Sequence, residues 1–323
     1  MNLRNARIAL VGGAGLVGSH IVDALLREPV KEILIFDNFV RGSAANLRGA
    51  ASDVRVRVVE GSITDTGAVD DVLAGIDGVF LLASLWLGEC LNEPRCAWDV
   101  CTLGTWNVVE ACVKHKIKRV VYSSSASVYG DAVSVPMTEE HPFNNRTMYG
   151  ASKIACEQML RATFAQHKLP YIAFRYMNIY GPRMDHRGVY VSVIMKVLDR
   201  IAAGKPPVVH GDGSQMYDFV YVEDVARANI LGMQAECVDE AFNIGSGIGT
   251  SINELVGLLL SLTGSTLTPE YVAEQQILVS RRIGSTDKAD RLLGFRATTP
   301  LADGLQKLMA WRDAASRQEV GQG

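Results

Sequence analysis

The chain has 323 residues and a formal net charge of −3, enough length for one large domain or a large and a small one. A hydrophobic fraction of 48% and a charged fraction of 21% suit a protein that buries its own core without staples. The slightly acidic balance argues against an electrostatic nucleic-acid surface.

The chain opens on "MNLRNARIALVGGAGLVG", which imitates a signal peptide but lacks a small-residue cleavage site. It reads as a buried first strand entering a glycine turn. Strand candidates then follow in order: "RIALV" (7–11), "EILIF" (32–36), "VRVRVV" (54–59), "GVFLL" (78–82), "RVVYS" (119–123) and "YIAFR" (171–175). Segments of helical period lie between them, at 15–27, 93–115 and 149–167. Strand and helix in alternation imply an α/β, doubly wound parallel sheet covered on both faces. Apolar strands of this kind suit burial on both sides.

Beyond about residue 176 the rhythm loosens into "GPRMDHRG" and "GKPPVVHGDGSQ". "DFVYVEDVARANILG" and "AFNIGSG" read as a strand-helix-strand return to the first domain. Residues 252–262 and 303–313 read as short helices. The expected division is a Rossmann domain at 1–176 plus about 219–245, and a smaller substrate domain at about 177–218 and 246–323. The six cysteines form no C-x-x-C pair and read as reduced thiols, not as a metal site. The longest apolar stretch, Val79 to Leu87, is too short to span a bilayer. A cytoplasmic protein with no membrane partner is expected.

"VGGAGLVGSH" (11–20) joins the first strand to the first helix. It reads as G-x-x-G-x-x-G through Gly12, Gly15 and Gly18, and as G-x-G-x-x-G from Gly13. Glycines permit a tight turn and close approach of backbone to ligand, and the helix N-terminus can hold a pyrophosphate. Gly12, Gly15, Leu16 and Val17 are the expected cofactor contacts. Asp37 ends the second strand about 20 residues on, where an acid hydrogen-bonds a ribose and repels a 2′-phosphate. With Asn38 beside it, Asp37 favours NAD over NADP; Arg41 is near enough to oppose this.

"YSSSASVYG" (122–130) ends the fifth strand, so Ser125 faces the crevice where ligands bind. "MYGASK" (148–153) sets Tyr149 and Lys153 on one helix face. Ten tyrosines give about 0.6 such pairs by chance, so the pair gains meaning only from its surroundings. A free phenol is too weak an acid to serve as a base at neutral pH. A neighbouring ammonium favours the phenolate.

Together the glycine turn, "DN" at 37–38, "SSSASVYG", "YGASK" and "RYMNIYGPR" (175–183) resemble the extended short-chain dehydrogenase/reductases, in their nucleotide-sugar epimerase/dehydratase branch. The resemblance implies Ser125, Tyr149 and Lys153 as the catalytic set and NAD as the cofactor. It implies a nucleotide sugar, a UDP-sugar foremost, as substrate of a C4 epimerisation through a 4-keto intermediate, and a role in polysaccharide synthesis. It implies a homodimer through the helices at 93–115 and 149–167. Ile63 should pack near adenine, Leu81, Leu82 and Ala83 should line the cofactor, and Tyr176 should sit by the nicotinamide. Asn178 takes the position that contacts the sugar diphosphate.

Four positions depart from the pattern. Ser62 stands where an aspartate usually meets adenine. Leu81 replaces a common histidine, and Cys101 an asparagine near the nicotinamide. Tyr217 replaces an arginine that grips the diphosphate, leaving Arg183, Arg187, Arg281 and Arg282 as candidate cations, with Tyr217 and Arg282 as expected substrate contacts. A dehydratase, a decarboxylase, a ketoreductase and a non-catalytic nucleotide sensor share the fold and stay open. Dehydratases of the family carry an Asp-Glu pair after the active-site hydroxyl, where this chain has Ala126 and Ser127.

Overall fold

The computed structural model describes residues 1–185, 192–273 and 279–320. The first half runs β1 (Arg7–Val11), α1 (Leu16–Leu25), β2 (Glu32–Asp37), β3 (Val56–Glu60), α2 (Thr66–Leu73) and β4 (Gly78–Leu81). There follow α3 (Leu87–Asn92), α4 (Pro94–Cys96), a π-helical stretch at Ala97–Gly104, α5 (Thr105–Lys114), β5 (Arg119–Ser125), α6 (Met148–His167) and β6 (Tyr171–Tyr176). The sequence-predicted helix at 93–115 is thus one run with a π-helical middle. Val54, expected in the third strand, lies outside it and is fully exposed.

The second half runs β7 (Asn178–Tyr180), α7 (Val193–Ala202), β8 (Val208–His210), β9 (Met216–Tyr221), α8 (Val222–Gln234) and β10 (Glu240–Ile244). It closes with β11 (Gly249–Ser251), α9 (Ile252–Thr263), β12 (Glu270–Val272), β13 (Arg281–Arg282), α10 (Asp287–Leu293) and α11 (Leu301–Val320).

Seven strands form one parallel sheet in the order β10-β6-β5-β4-β1-β2-β3. Alternation of side chains along each strand divides its apolar residues between two cores. Ile8, Leu10, Ile33 and Ile35 pack with Ile21, Val22 and Leu25 of α1 and Val225 of α8. Ala9, Val11, Leu34 and Phe36 pack with Val69 of α2, Val108 of α5 and Leu160 of α6. Burial on both faces is why the strands read as unbroken apolar runs.

One expectation needs correcting. α8 and β10 return to the large sheet, but β9 does not. It pairs with β7, β11 and β13 in a second sheet. Phe219 and Tyr221 face a third core with Leu198, Leu255 and Leu305, while Val220 between them joins the first core. β9 therefore ties the second sheet to the first, and β10 takes the place beside β6.

Candidate active site

The candidate residues converge because they stand at the carboxyl ends of parallel strands. A cleft of about 1330 Å³ opens there. Pockets for a single drug-sized ligand measure about 300–1,000 Å³, so this cleft is larger than one such ligand needs. Gly12, Gly15, Leu16 and Val17 line it. Gly12 adopts φ +87°, and a Cβ there would lie 2.6 Å from Ala83 N, so no other residue fits. Gly18 lets α1 press on the turn, since its Cβ would meet Gly12 O at 2.6 Å. Gly15 caps α1 without a side chain, which leaves the helix N–H groups open to an anion. Asp37 lines the same cleft and its carboxylate accepts from Ala14 N and Phe39 N, at 2.8 and 2.9 Å. Each oxygen keeps a lone pair for a ribose hydroxyl. Asn38 and Ile63 complete this end. The cradle fits a dinucleotide.

At the other end Ser125, Tyr149 and Lys153 line one wall. Thr147 caps α6, its Oγ1 accepting from Gly150 N at 3.1 Å. Lys153 is buried, and its Nζ donates to Ser123 O at 2.8 Å. That places the ammonium 5.7 Å from the Tyr149 ring centroid. Ser125 Oγ accepts from Ser127 N at 3.1 Å, so its proton remains free to donate to a substrate oxygen.

A buried network fixes α6 against the sheet. Arg175 of β6 forms paired bonds to the Glu157 carboxylate, 3.0 Å from Nε and 2.6 Å from Nη2. Glu157 also accepts from Ser124, next to Ser125. Burial lowers an arginine's pKa, but the Glu157 carboxylate outweighs it and holds that of Arg175 above the usual value. Removing one partner would leave an uncompensated buried charge, a loss of roughly 3–5 kcal/mol. Sequence reading passed over Glu157, although its place one turn beyond Lys153 was a usable signal.

The NAD dependent epimerase/dehydratase family matches residues 8–245, which spans the cradle and all three of these side chains. The chain belongs to that family. A putative UDP-glucose 4-epimerase of Methanocaldococcus jannaschii is 32% identical, over 94% of this chain and 97% of that protein. The UDP-N-acetylglucosamine 4-epimerase of Methanobrevibacter ruminantium, solved with UDP-N-acetylmuramic acid, superposes with a TM-score of 0.91 at 29% identity, covering 97% and 99%. The dTDP-glucose 4,6-dehydratase DesIV of Streptomyces venezuelae, solved with NAD, gives 0.88 at 28%, covering 95% and 97%.

In this epimerase/dehydratase the remaining predicted residues divide. Leu82, Ala83, Tyr176 and Asn178 line the cleft. Tyr176 spends its hydroxyl on Ser123 and Asn229 and offers only its ring. Leu81 does not reach the cleft: it is fully buried in the second core, because alternate strand residues face opposite sides. Ser62 also misses it and bonds Thr64 instead, at 2.8 Å. Tyr217 lines an adjoining cavity with Asn178 and Phe219, its hydroxyl donating to Val279 O at 2.9 Å. Cys101 is buried in the π-helical stretch, and its Sγ accepts from Leu85 N at 3.4 Å.

The candidate cations also separate. Arg282 sits opposite Tyr217 in the β13–β9 register and lines the cleft. Its Nε is buried with no partner, and burial works against its charge, a situation that a bound anion relieves. Arg281 is exposed and outside the cleft. Arg183 lines the cleft while paired with Asp23 at 2.6 Å. Arg187 lies outside the described residues. Among the described residues no helix is long and apolar enough to cross a membrane.

Proposed function

We propose that this protein epimerises a nucleotide sugar, a UDP-sugar foremost, at C4. NAD⁺ held by the glycine turn at Gly12 and Gly15 and by Asp37 would supply a hydride acceptor and then a hydride donor, so that no net oxidation would occur. Tyr149 removes the proton from the sugar O4 and later returns it. The Lys153 ammonium stabilises the negative charge that develops on the phenol. Ser125 donates to the substrate oxygen and holds it beside Tyr149. Arg282 balances the diphosphate, and the cavity with Tyr217 and Phe219 receives the nucleoside end. The reading keeps the division into a cofactor part and a substrate part.

One observation favours epimerisation over elimination. Among the described residues that line the cleft, the carboxylates are Asp37, Glu89 and Asp185. Asp37 is bonded to the glycine turn, and Arg41 holds the other two. Asp131, the first acid after Ser125, accepts from Ser280 instead. Loss of water from C5 and C6 needs an acid and a base beyond the tyrosine, and none stands beside Tyr149. A homodimer in the cytoplasm, serving polysaccharide synthesis, belongs to the same reading. Trp98, Leu103 and Trp106 are exposed on the expected dimer helix.

The test is to incubate the protein with UDP-glucose, UDP-N-acetylglucosamine and UDP-glucuronate and to identify products by NMR and mass. A C4 epimer of unchanged mass is expected from at least one. Loss of water or carbon dioxide would refute the elimination argument, and three unchanged substrates would refute the UDP-sugar assignment.

A further inference from the structure

Arg41 is arranged in a way that the sequence does not foretell. The loop after β2 is pinned to the glycine turn: Ser43 N and Asn46 Nδ2 both donate to Ala14 O, at 3.1 and 2.9 Å. From this loop the Arg41 side chain runs across the cleft. Its guanidinium carbon lies 3.5 Å from the Trp86 ring centroid. Nη1 reaches Glu89 at 3.5 Å and Nη2 reaches Asp185 at 3.2 Å.

Strand order tells what this bridge crosses. Arg41 follows β2, while Trp86 and Glu89 follow β4, and β1 stands between those two strands. A side chain that leaves the end of β2 and rests on residues beyond β4 passes over the carboxyl end of β1. There the glycine turn begins and α1 presents its open N–H groups, the seat of a dinucleotide pyrophosphate. Gly12, Gly15, Arg41, Trp86 and Glu89 all line the one cleft.

We propose that Arg41 is a cofactor-retaining residue, closing over the pyrophosphate of bound NAD so that the dinucleotide exchanges only when the Arg41–Trp86 stack opens. The chemistry suits the task. A guanidinium has five N–H donors, and the two acids engage it through contacts longer than the usual charge-assisted bond. Donors therefore remain for phosphate oxygens. The indole face fixes the guanidinium plane, which a flexible ammonium cannot match. The same engagement takes Arg41 away from the 2′-phosphate role that its nearness to Asp37 suggests. The proposal rests on NAD binding alone, and the sugar-product assay decides the C4 reading separately.

The experiment uses the full chain loaded with NADH and chased with excess NAD⁺, following the loss of bound-NADH fluorescence. Arg41→Ala and Trp86→Ala should each speed release by about tenfold or more, the scale of a desolvated cation–π stack. Arg41→Lys should also release quickly, because it keeps the charge but not the flat stack. Release from Arg41→Ala at the wild-type rate would overturn the proposal. Fast release from Arg41→Ala with wild-type rates in Arg41→Lys and Trp86→Ala would overturn it too, leaving charge without closure. Melting of each apo variant, measured alongside, separates a folding defect from an opened bridge.

Discussion

Gly150 offers a test of how the fold places Tyr149. It follows Tyr149 in the first turn of α6, where its N–H donates to the capping Thr147. A Cβ added there would lie 2.6 Å from Ser127 O, a backbone atom of the turn that carries Ser125. It would also strike Asn145 Oδ1, which Thr147 N and Oγ1 hold at 3.0 and 2.8 Å. Ordinary C···O contact is about 3.4 Å, so in Gly150→Ala the start of α6 must retreat by about 0.8 Å from its 2.6 Å approach. Overpacking costs about 1–3 kcal/mol, and alanine returns about 1 kcal/mol of helix propensity. The fold should therefore lose about 0–2 kcal/mol, while Tyr149 moves away from Ser125. A misplacement near 1 Å can cost about 10²-fold, and that is the expected fall in kcat, with NADH still bound. The measurements are steady-state turnover on the accepted UDP-sugar, urea unfolding and NADH titration. A kcat within about threefold of wild type, under 1 kcal/mol of barrier, would refute the claim that this contact sets the geometry.

Tyr149→Phe removes the phenol with little change of volume. Turnover should drop by about 10² or more while NADH binds as before; near-normal turnover would remove Tyr149 from its role. His20 gives a pH test of stability. Burial holds its pKa below the ordinary value of about 6.5, so below that pH the unfolded chain binds the extra proton first. The stability that a neutral His20 contributes is present above about pH 6.5 and is lost as pH falls toward its folded value. The urea midpoint of wild type minus that of His20→Gln should shrink between pH 7.5 and 5.5, and a constant difference would contradict the assignment.

Local chemistry made part of this molecule legible in its amino-acid order. Unbroken apolar runs announced strands buried on both faces. Gly12 and Gly18 were legible because their turn admits no Cβ, and Asp37 because a strand of fixed length ends beside that turn. Tyr149 and Lys153 were legible because helical spacing alone puts them on one face. Features that depend on neighbours distant in sequence emerged from the packed fold. β9 reads as a return to the large sheet, yet its alternate residues serve two cores and it pairs with β7, β11 and β13. Leu81 sits one residue before the cleft and faces the core. Arg282 was the expected contact among four candidate arginines, and its register with Tyr217 carries it into the cleft. Arg41 read as a rival to Asp37 until strand order placed β4 across β1 from β2. Spacing along a chain fixes which atoms share a face, whereas sheet order and register fix which faces meet, and those follow from the packing of the whole molecule.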